Sequence, residues 1–170
     1  MAPFHIRRAE VTDAPAIAAI HVQSWRETYT GLIAPDFLSR MTDESARQNR
    51  EKSWQATISQ GREDVFVAEQ GGEVVAFASV GPARDHPGYA SELMTLYSLQ
   101  RVQRQGIGQS LLRAVMEQVR GQGGKNLALW VLASNPTRQW YAAQGAREAG
   151  EKVDGELVEV RMVWDTFPNP

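Results

Sequence analysis

The chain predicts a mixed α/β domain: a central, mostly antiparallel sheet with one parallel strand pair, flanked by helices. Three observations carry that reading. Two glycine turns, Gly71-Gly72 and Asp154-Gly155, each join β-rich runs and mark antiparallel hairpins. Between them, a strand-like run from about Ser91 to Leu99 leads through a glycine loop into an amphipathic helix and then into Leu127–Leu132. A strand–helix–strand crossover of that length forces its two strands to run parallel. Third, the 170 residues contain no linker, internal repeat or low-complexity tract, so residues 1–170 read as one domain.

The elements follow in order. Phe4 to Arg8 suits a short strand. Thr12-Asp13 offers an N-cap, and Ala14, Ala18, Val22, Trp25 and Tyr29 recur at helical spacing up to Thr30-Gly31. Pro35-Asp36 opens a brief helical turn. Thr42 is positioned to cap a second helix running to about Ser59, ahead of Gly61. Val65 to Glu69 and Val74 to Val80 form the first hairpin, and 81–88 is a loop with two prolines. Ile107, Leu111, Leu112, Val115 and Val119 make one apolar stripe on the crossover helix. Leu127 to Leu132 is apolar at every position, as a strand buried on both faces requires. Pro136 begins another helix, Gly145 ends it, and Val158 to Trp164 closes the sheet.

Composition narrows the function. With 42% hydrophobic and 22% charged residues the chain reads as an ordinary globular protein. A formal charge of −2 without a polybasic block argues against a nucleic-acid partner. Zero cysteines exclude disulfides, thiolate metal sites and a cysteine nucleophile, and three scattered histidines suggest no metal site. Neither a signal peptide nor an apolar run of membrane-spanning length is present, so a cytoplasmic location away from membranes is expected.

The crossover carries the chemistry. Gln103-Arg104-Gln105-Gly106-Ile107-Gly108 lies where strand gives way to helix, and the helix start aims unpaired N–H groups and positive dipole at that spot. An anion belongs there. A phosphate-binding loop of the ATPase type would need Lys-Ser or Lys-Thr after Gly108, which Gln109-Ser110 does not supply. A dinucleotide fingerprint would need a third glycine where Leu111 stands, which makes a nicotinamide enzyme a weak reading. A pattern of Gln/Arg-x-x-Gly-x-Gly/Ala fits. The second parallel strand exits at Ser134-Asn135-Pro136, followed by Trp140-Tyr141, so both exits can face one cleft.

These motifs together resemble the GNAT superfamily of N-acetyltransferases. The resemblance spans Ile6-Arg7-Arg8 to the last strand. It rests on Leu96-Tyr97-Ser98, the glycine loop, and Asn135-Pro136 with Trp140-Tyr141 and Gly145; His21 to Trp25 and Thr28 to Ile33 add to it. Ser98 and Gln100 depart from the aliphatic residue and proline frequent at those positions, without removing a backbone donor. The resemblance implies acetyl-coenzyme A as co-substrate. Backbone of Leu96, Tyr97 and Ser98 would pair with the pantetheine arm, and amides of Arg104, Gln105, Gly106, Ile107, Gly108 and Gln109 would hold the pyrophosphate. Asn135 would close the other side of the arm, and Tyr141 would protonate the leaving thiolate. Deprotonation of the amine falls to Glu92 as first choice, acting directly or through water, and to Asp85 as second, with an N–H near Ser98 as oxyanion donor.

Trp25 and Tyr29 are candidate acceptor contacts, equally compatible with packing. His21 reads as structural, and Trp54, Trp130 and Trp164 as core or interface. The expected activity is direct acetyl transfer to a primary amine of a small molecule or peptide. The alternative is a non-catalytic coenzyme A-binding sensor. A homodimer is compatible with a domain of this size, and Asp85, Glu92 and Glu27 hint at a cationic acceptor.

Overall fold

A computed structural model describes residues 2–168. Seven strands form one sheet: β1 (Phe4–Arg8), β2 (Asp64–Gln70), β3 (Glu73–Pro82), β4 (Ser91–Ser98), β5 (Leu127–Leu132), β6 (Arg147–Asp154) and β7 (Leu157–Trp164). Five helices accompany them: α1 (Ala14–Tyr29), α2 (Pro35–Thr42), α3 (Glu44–Gln60), α4 (Ile107–Gly121) and α5 (Thr137–Ala143). The spatial order is β1-β2-β3-β4-β5-β7-β6, and β4–β5 is the parallel pair. The expected mixed sheet with a single parallel step is what the chain adopts.

Strand alternation separates two apolar faces. Phe66, Ala68, Val75 and Ala78 pack with the stripe of α4 (Ile107, Leu111, Leu112, Val115, Val119), with Leu127, Leu129 and Val131 of β5, and with Tyr141 and Trp164. Val65, Val67 and Phe77 point the other way, onto Ala14, Ile17 and Ile20 of α1 and Trp54 of α3. Leu132 meets Tyr29 and Leu38 on that second face, so β5 is indeed covered from both sides. Trp54 and Trp164 are core residues, as expected.

Local signals largely behave as read. Gly71 and Gly72 take φ of 62° and 78°, the conformation of a tight hairpin turn. Gly61 ends α3 at φ 63°. Two boundaries differ. The turn at Pro35 is an eight-residue helix, and the cap of α3 is Asp43, not Thr42. The Asp43 side chain accepts from the Ala46 amide at 2.7 Å, while the Thr42 hydroxyl is spent on the Leu38 carbonyl inside α2. A carboxylate at the junction accepts from an amide and complements the helix dipole at once, and a buried threonine already bonded to its own helix cannot compete.

Asp13 joins the two ends of the first segment. Its carboxylate takes two bonds from Arg7 of β1, at 2.8 and 2.9 Å, plus the Glu10 amide at 2.7 Å. The Arg7 contact holds the Asp13 carboxyl below its ordinary range. At the far edge, the β6–β7 register shifts between Glu148 and Glu151, which bulges β6 around Gly150.

Leu111 is fully buried at the centre of the larger face. Leu111→Ala should lower unfolding stability by about 2 to 5 kcal/mol, read as a reduced denaturant midpoint with unchanged slope.

Candidate active site

The site is a defect in the sheet. β4 and β5 share a single bridge, Glu92 to Ala128, and then diverge. The wedge between them is a cleft of about 720 Å³. It runs along residues 93–98 of β4 and 129–132 of β5, and reaches the glycine loop at one end and α1 at the other. A register shift between Ser79 and Val80 leaves Met94 without a partner on β3, a bulge that bends β4 at the cleft wall. An unpaired backbone edge facing a cavity is a ready partner for an extended ligand.

At the loop end, Arg104 and Gly106 both adopt left-handed backbone, with φ of 64° and 84°. This curls the chain so that Gly106 caps α4, whose first ladder bond runs from the Ser110 amide to the Gly106 carbonyl at 3.0 Å. The amides of Ile107, Gly108 and Gln109 therefore precede the helix's own hydrogen bonds. Gly108 has a second constraint: a Cβ there would stand 3.4 Å from the Trp140 ring, so α5 closes directly onto the loop. Arg104, Gly106, Ile107, Gly108 and Gln109 line the cleft; the Gln105 side chain instead accepts from Gln70 at 2.8 Å.

At the other exit, the Asn135 carbonyl oxygen accepts from the Thr137 amide at 2.9 Å and caps α5. Its amide nitrogen donates to the Tyr29 hydroxyl at 3.0 Å, tying α1 to the end of β5. Both Asn135 and Tyr29 line the cleft, as do Trp25, Tyr97 and Tyr141. The Trp25 indole donates to the Tyr97 hydroxyl at 3.2 Å. Behind Tyr97 stands His21, stacked at 4.9 Å between ring centroids and receiving the Trp54 indole N–H at its Nδ1, 3.4 Å away. His21 is a buried structural group, as expected.

Three phenols thus face one space. Burial raises the pKa of all three and favours their protonated form. Tyr29 and Tyr97 each accept a bond from a neighbour; Tyr141 has no such partner offsetting its burial, and its hydroxyl faces the cleft. A phenol on a cleft wall with its hydroxyl not engaged by a neighbouring side chain can donate to a ligand atom.

Glu92 is not where the sequence reading put it. It occupies the closed end of the wedge, where β4 is still bonded to β5 and no space exists. The cleft begins one residue later. Its side chain is buried and accepts from the Arg84 amide at 2.9 Å and the Arg84 guanidinium at 3.1 Å. His86 lies at 3.5 Å. A buried carboxylate must be paired, and here the pairing pins the β3–β4 loop. Asp85 sits in that loop, away from the cleft, with its carbonyl taken by Arg161. Glu27 accepts from the Gln100 amide at 3.0 Å and steadies the turn after β4.

Two cleft residues escaped the sequence reading. Trp130, expected as core or interface, lines the cleft, and Glu159 of β7 is the one carboxylate among its described lining residues. The register pairs Leu132 with Glu159 and Trp130 with Arg161, which puts these side chains on the same face as Tyr29. Only the strand register, invisible in the linear sequence, brings them there.

With this geometry in hand, comparison with known proteins is direct. The model of the acetyltransferase (GNAT) family matches residues 21–146. An uncharacterised N-acetyltransferase, YuaI of Bacillus subtilis, is 35% identical over 92% of this chain and 87% of its own length. PaiA N-acetyltransferase of Thermoplasma acidophilum, solved with coenzyme A, superposes with a TM-score of 0.73 at 17% identity, covering 94% of this chain and 98% of that one. Salmonella typhimurium yncA, solved with its cofactor acetyl-CoA, gives 0.72 at 23% identity, covering 99% and 98%. The chain belongs to the GNAT family of acetyltransferases and carries its fold.

The His21 ring gives a pH prediction. Burial and the adjacent Arg50 depress its pKa to about 3, so the folded state holds it neutral. Between pH about 6.5 and about 3 the unfolded chain takes up a proton that the native chain refuses, and stability must fall as pH falls through that window. The slope from this group should approach about 1.4 kcal/mol per pH unit, measured as the difference between wild type and His21→Gln in denaturation at successive pH values.

Proposed function

We propose that the protein transfers the acetyl group of acetyl-coenzyme A to an amine bound at the α1 end of the cleft. The observation that carries this reading is the wedge itself. An unpaired β4 edge leads at one end to free amides at the start of α4 and at the other to the Tyr141 phenol on the cleft wall. Coenzyme A presents a matching series of groups: a diphosphate, an amide-bearing arm and a sulfur.

In this reading Arg104 and the amides of residues 104–109 hold the diphosphate. The backbone of Leu96, Tyr97 and Ser98 receives the arm as an added strand, and Asn135 bounds it opposite. The acetyl thioester supplies the electrophile. An N–H of β4 near Ser98 polarises its carbonyl, and Tyr141 gives its proton to the departing sulfur. The elevated pKa of the phenol suits this task, because the proton is present at neutral pH. The acceptor amine must be uncharged when it attacks, and Glu92, sealed at the closed end of the wedge, is replaced in this account by solvent-mediated loss of that proton. Trp25 and Tyr29 form the acceptor wall. The coenzyme A complex of the Thermoplasma relative and the acetyl-CoA complex of the Salmonella one support the choice of donor.

Two outcomes test the assignment. Tyr141→Phe should reduce turnover about ten- to a hundredfold while acetyl-coenzyme A affinity by calorimetry stays unchanged; a non-catalytic coenzyme A sensor would show no turnover in either protein. Gly106→Val forces a β-branched residue into left-handed backbone and should abolish acetyl-coenzyme A binding while circular dichroism remains native.

A further inference from the structure

Two residues that line the cleft, Trp130 and Glu159, already hold an alkylammonium contributed by the chain itself. The Lys152 Nζ lies 4.3 Å above the Trp130 ring centroid and 3.4 Å from the Glu159 carboxylate. An indole face and a carboxylate together form a seat for a cationic amine. Both Trp130 and Glu159 line the cleft, and the remaining charged lining residue, Arg104, stands at the distant glycine loop. The influence of Glu159 reaches into the cavity, where its charge helps raise the pKa of the Tyr29 and Tyr97 hydroxyls.

We infer that Glu159 and Trp130 select acceptors that carry a second positive charge, and that Lys152 holds their seat until such an amine displaces it. The inference rests on the transferase reading above. Geometry separates the seat from the attacked nitrogen. Glu159 belongs to β7, two strand positions from β4, or about 10 Å across the sheet even before the wedge widens it. The carboxylate therefore holds a distal cation while a neutral amine at the other end of a short alkyl spacer meets the thioester. The aromatic walls of Trp25, Tyr29 and Tyr97 suit that apolar spacer.

The Trp130 ring also carries the His86 imidazole, stacked at 5.0 Å between centroids, and the Arg161 guanidinium, both fixed by other bonds. The Arg161 guanidinium, 4.6 Å from the Trp130 centroid, donates through Nε to His86 Nδ1 at 3.0 Å and through Nη2 to the Asp85 carbonyl. Arg84 is paired with Glu92. Lys152 has a half-exposed, flexible side chain with Glu159 as its ion-pair partner, and is the cation that can yield.

The test compares cadaverine with pentylamine and the amino alcohol of equal length, in a coenzyme A release assay at saturating acetyl-coenzyme A. Wild type should favour cadaverine about tenfold or more in kcat/KM. Glu159→Gln should erase the preference and leave the acetyl-coenzyme A KM unchanged. Lys152→Gln should move the other way and lower the cadaverine KM several-fold. Equal kcat/KM for the three amines, or a preference that survives Glu159→Gln, overturns the inference. Failure of the transferase reading looks different: no amine is acetylated at all. Calorimetric titration of cadaverine into the coenzyme A-saturated protein then reads the seat alone. Heat lost in Glu159→Gln supports the seat, and no heat with wild type refutes it.

Discussion

One incomplete pairing governs this molecule: two parallel strands bonded at a single point and free beyond it. Everything in the site is a consequence of that hinge-like geometry. Below the bridge, the buried Glu92 carboxylate pairs with the largely exposed Arg84 guanidinium and faces the buried His86, which fastens the β3–β4 loop to β4. Above it, the bulge at Met94 turns β4 aside and leaves its backbone groups facing a cavity. A sheet ordinarily satisfies every amide and carbonyl internally, and a protein tolerates an interruption in the middle of its core only where something else completes it. The Glu92 carboxylate lies on the paired side of that parting, and its bonds run to the loop between β3 and β4.

The walls of the wedge come from distant parts of the chain. Tyr29 is contributed by α1, Asn135 by the exit of β5, and a single hydrogen bond joins them. His21, stacked beneath Tyr97 and braced by Trp54, extends the same support through α1 to α3. The helices before the hairpins are thus a floor for chemistry laid out a hundred residues later, and rigid packing beneath the aromatic side chains fixes where they stand.

Much of this was legible in the sequence because the signals were local. Glycine turns, the apolar stripe of α4, and the uniformly apolar β5 each state their structure within a dozen residues. The glycine loop and Asn135 sit at strand exits, which turn residues mark, and Tyr141 follows on α5; all three line the cleft. Glu92 stands outside the cleft lining because the two strands part just after it, and the point of parting cannot be read from spacing. Glu159 has no local signal, and Trp130 reads as core or interface, because only the β5–β7 register turns them toward the cleft. Asp43 displaced Thr42 as a cap through competition between two adjacent side chains for one amide, and the preference among such neighbours is small.

The distorted outer strand β6 has a meaning for the life of the protein in a crowded solution. A seven-stranded sheet exposes two open margins, and a straight, apolar margin invites a neighbour to continue it. Here the kink around Gly150 and the closely spaced ionic residues Arg147, Glu148, Glu151 and Lys152 interrupt any such template. Uncontrolled polymerisation through that flank is disfavoured by the same few residues that set Lys152 beside Glu159.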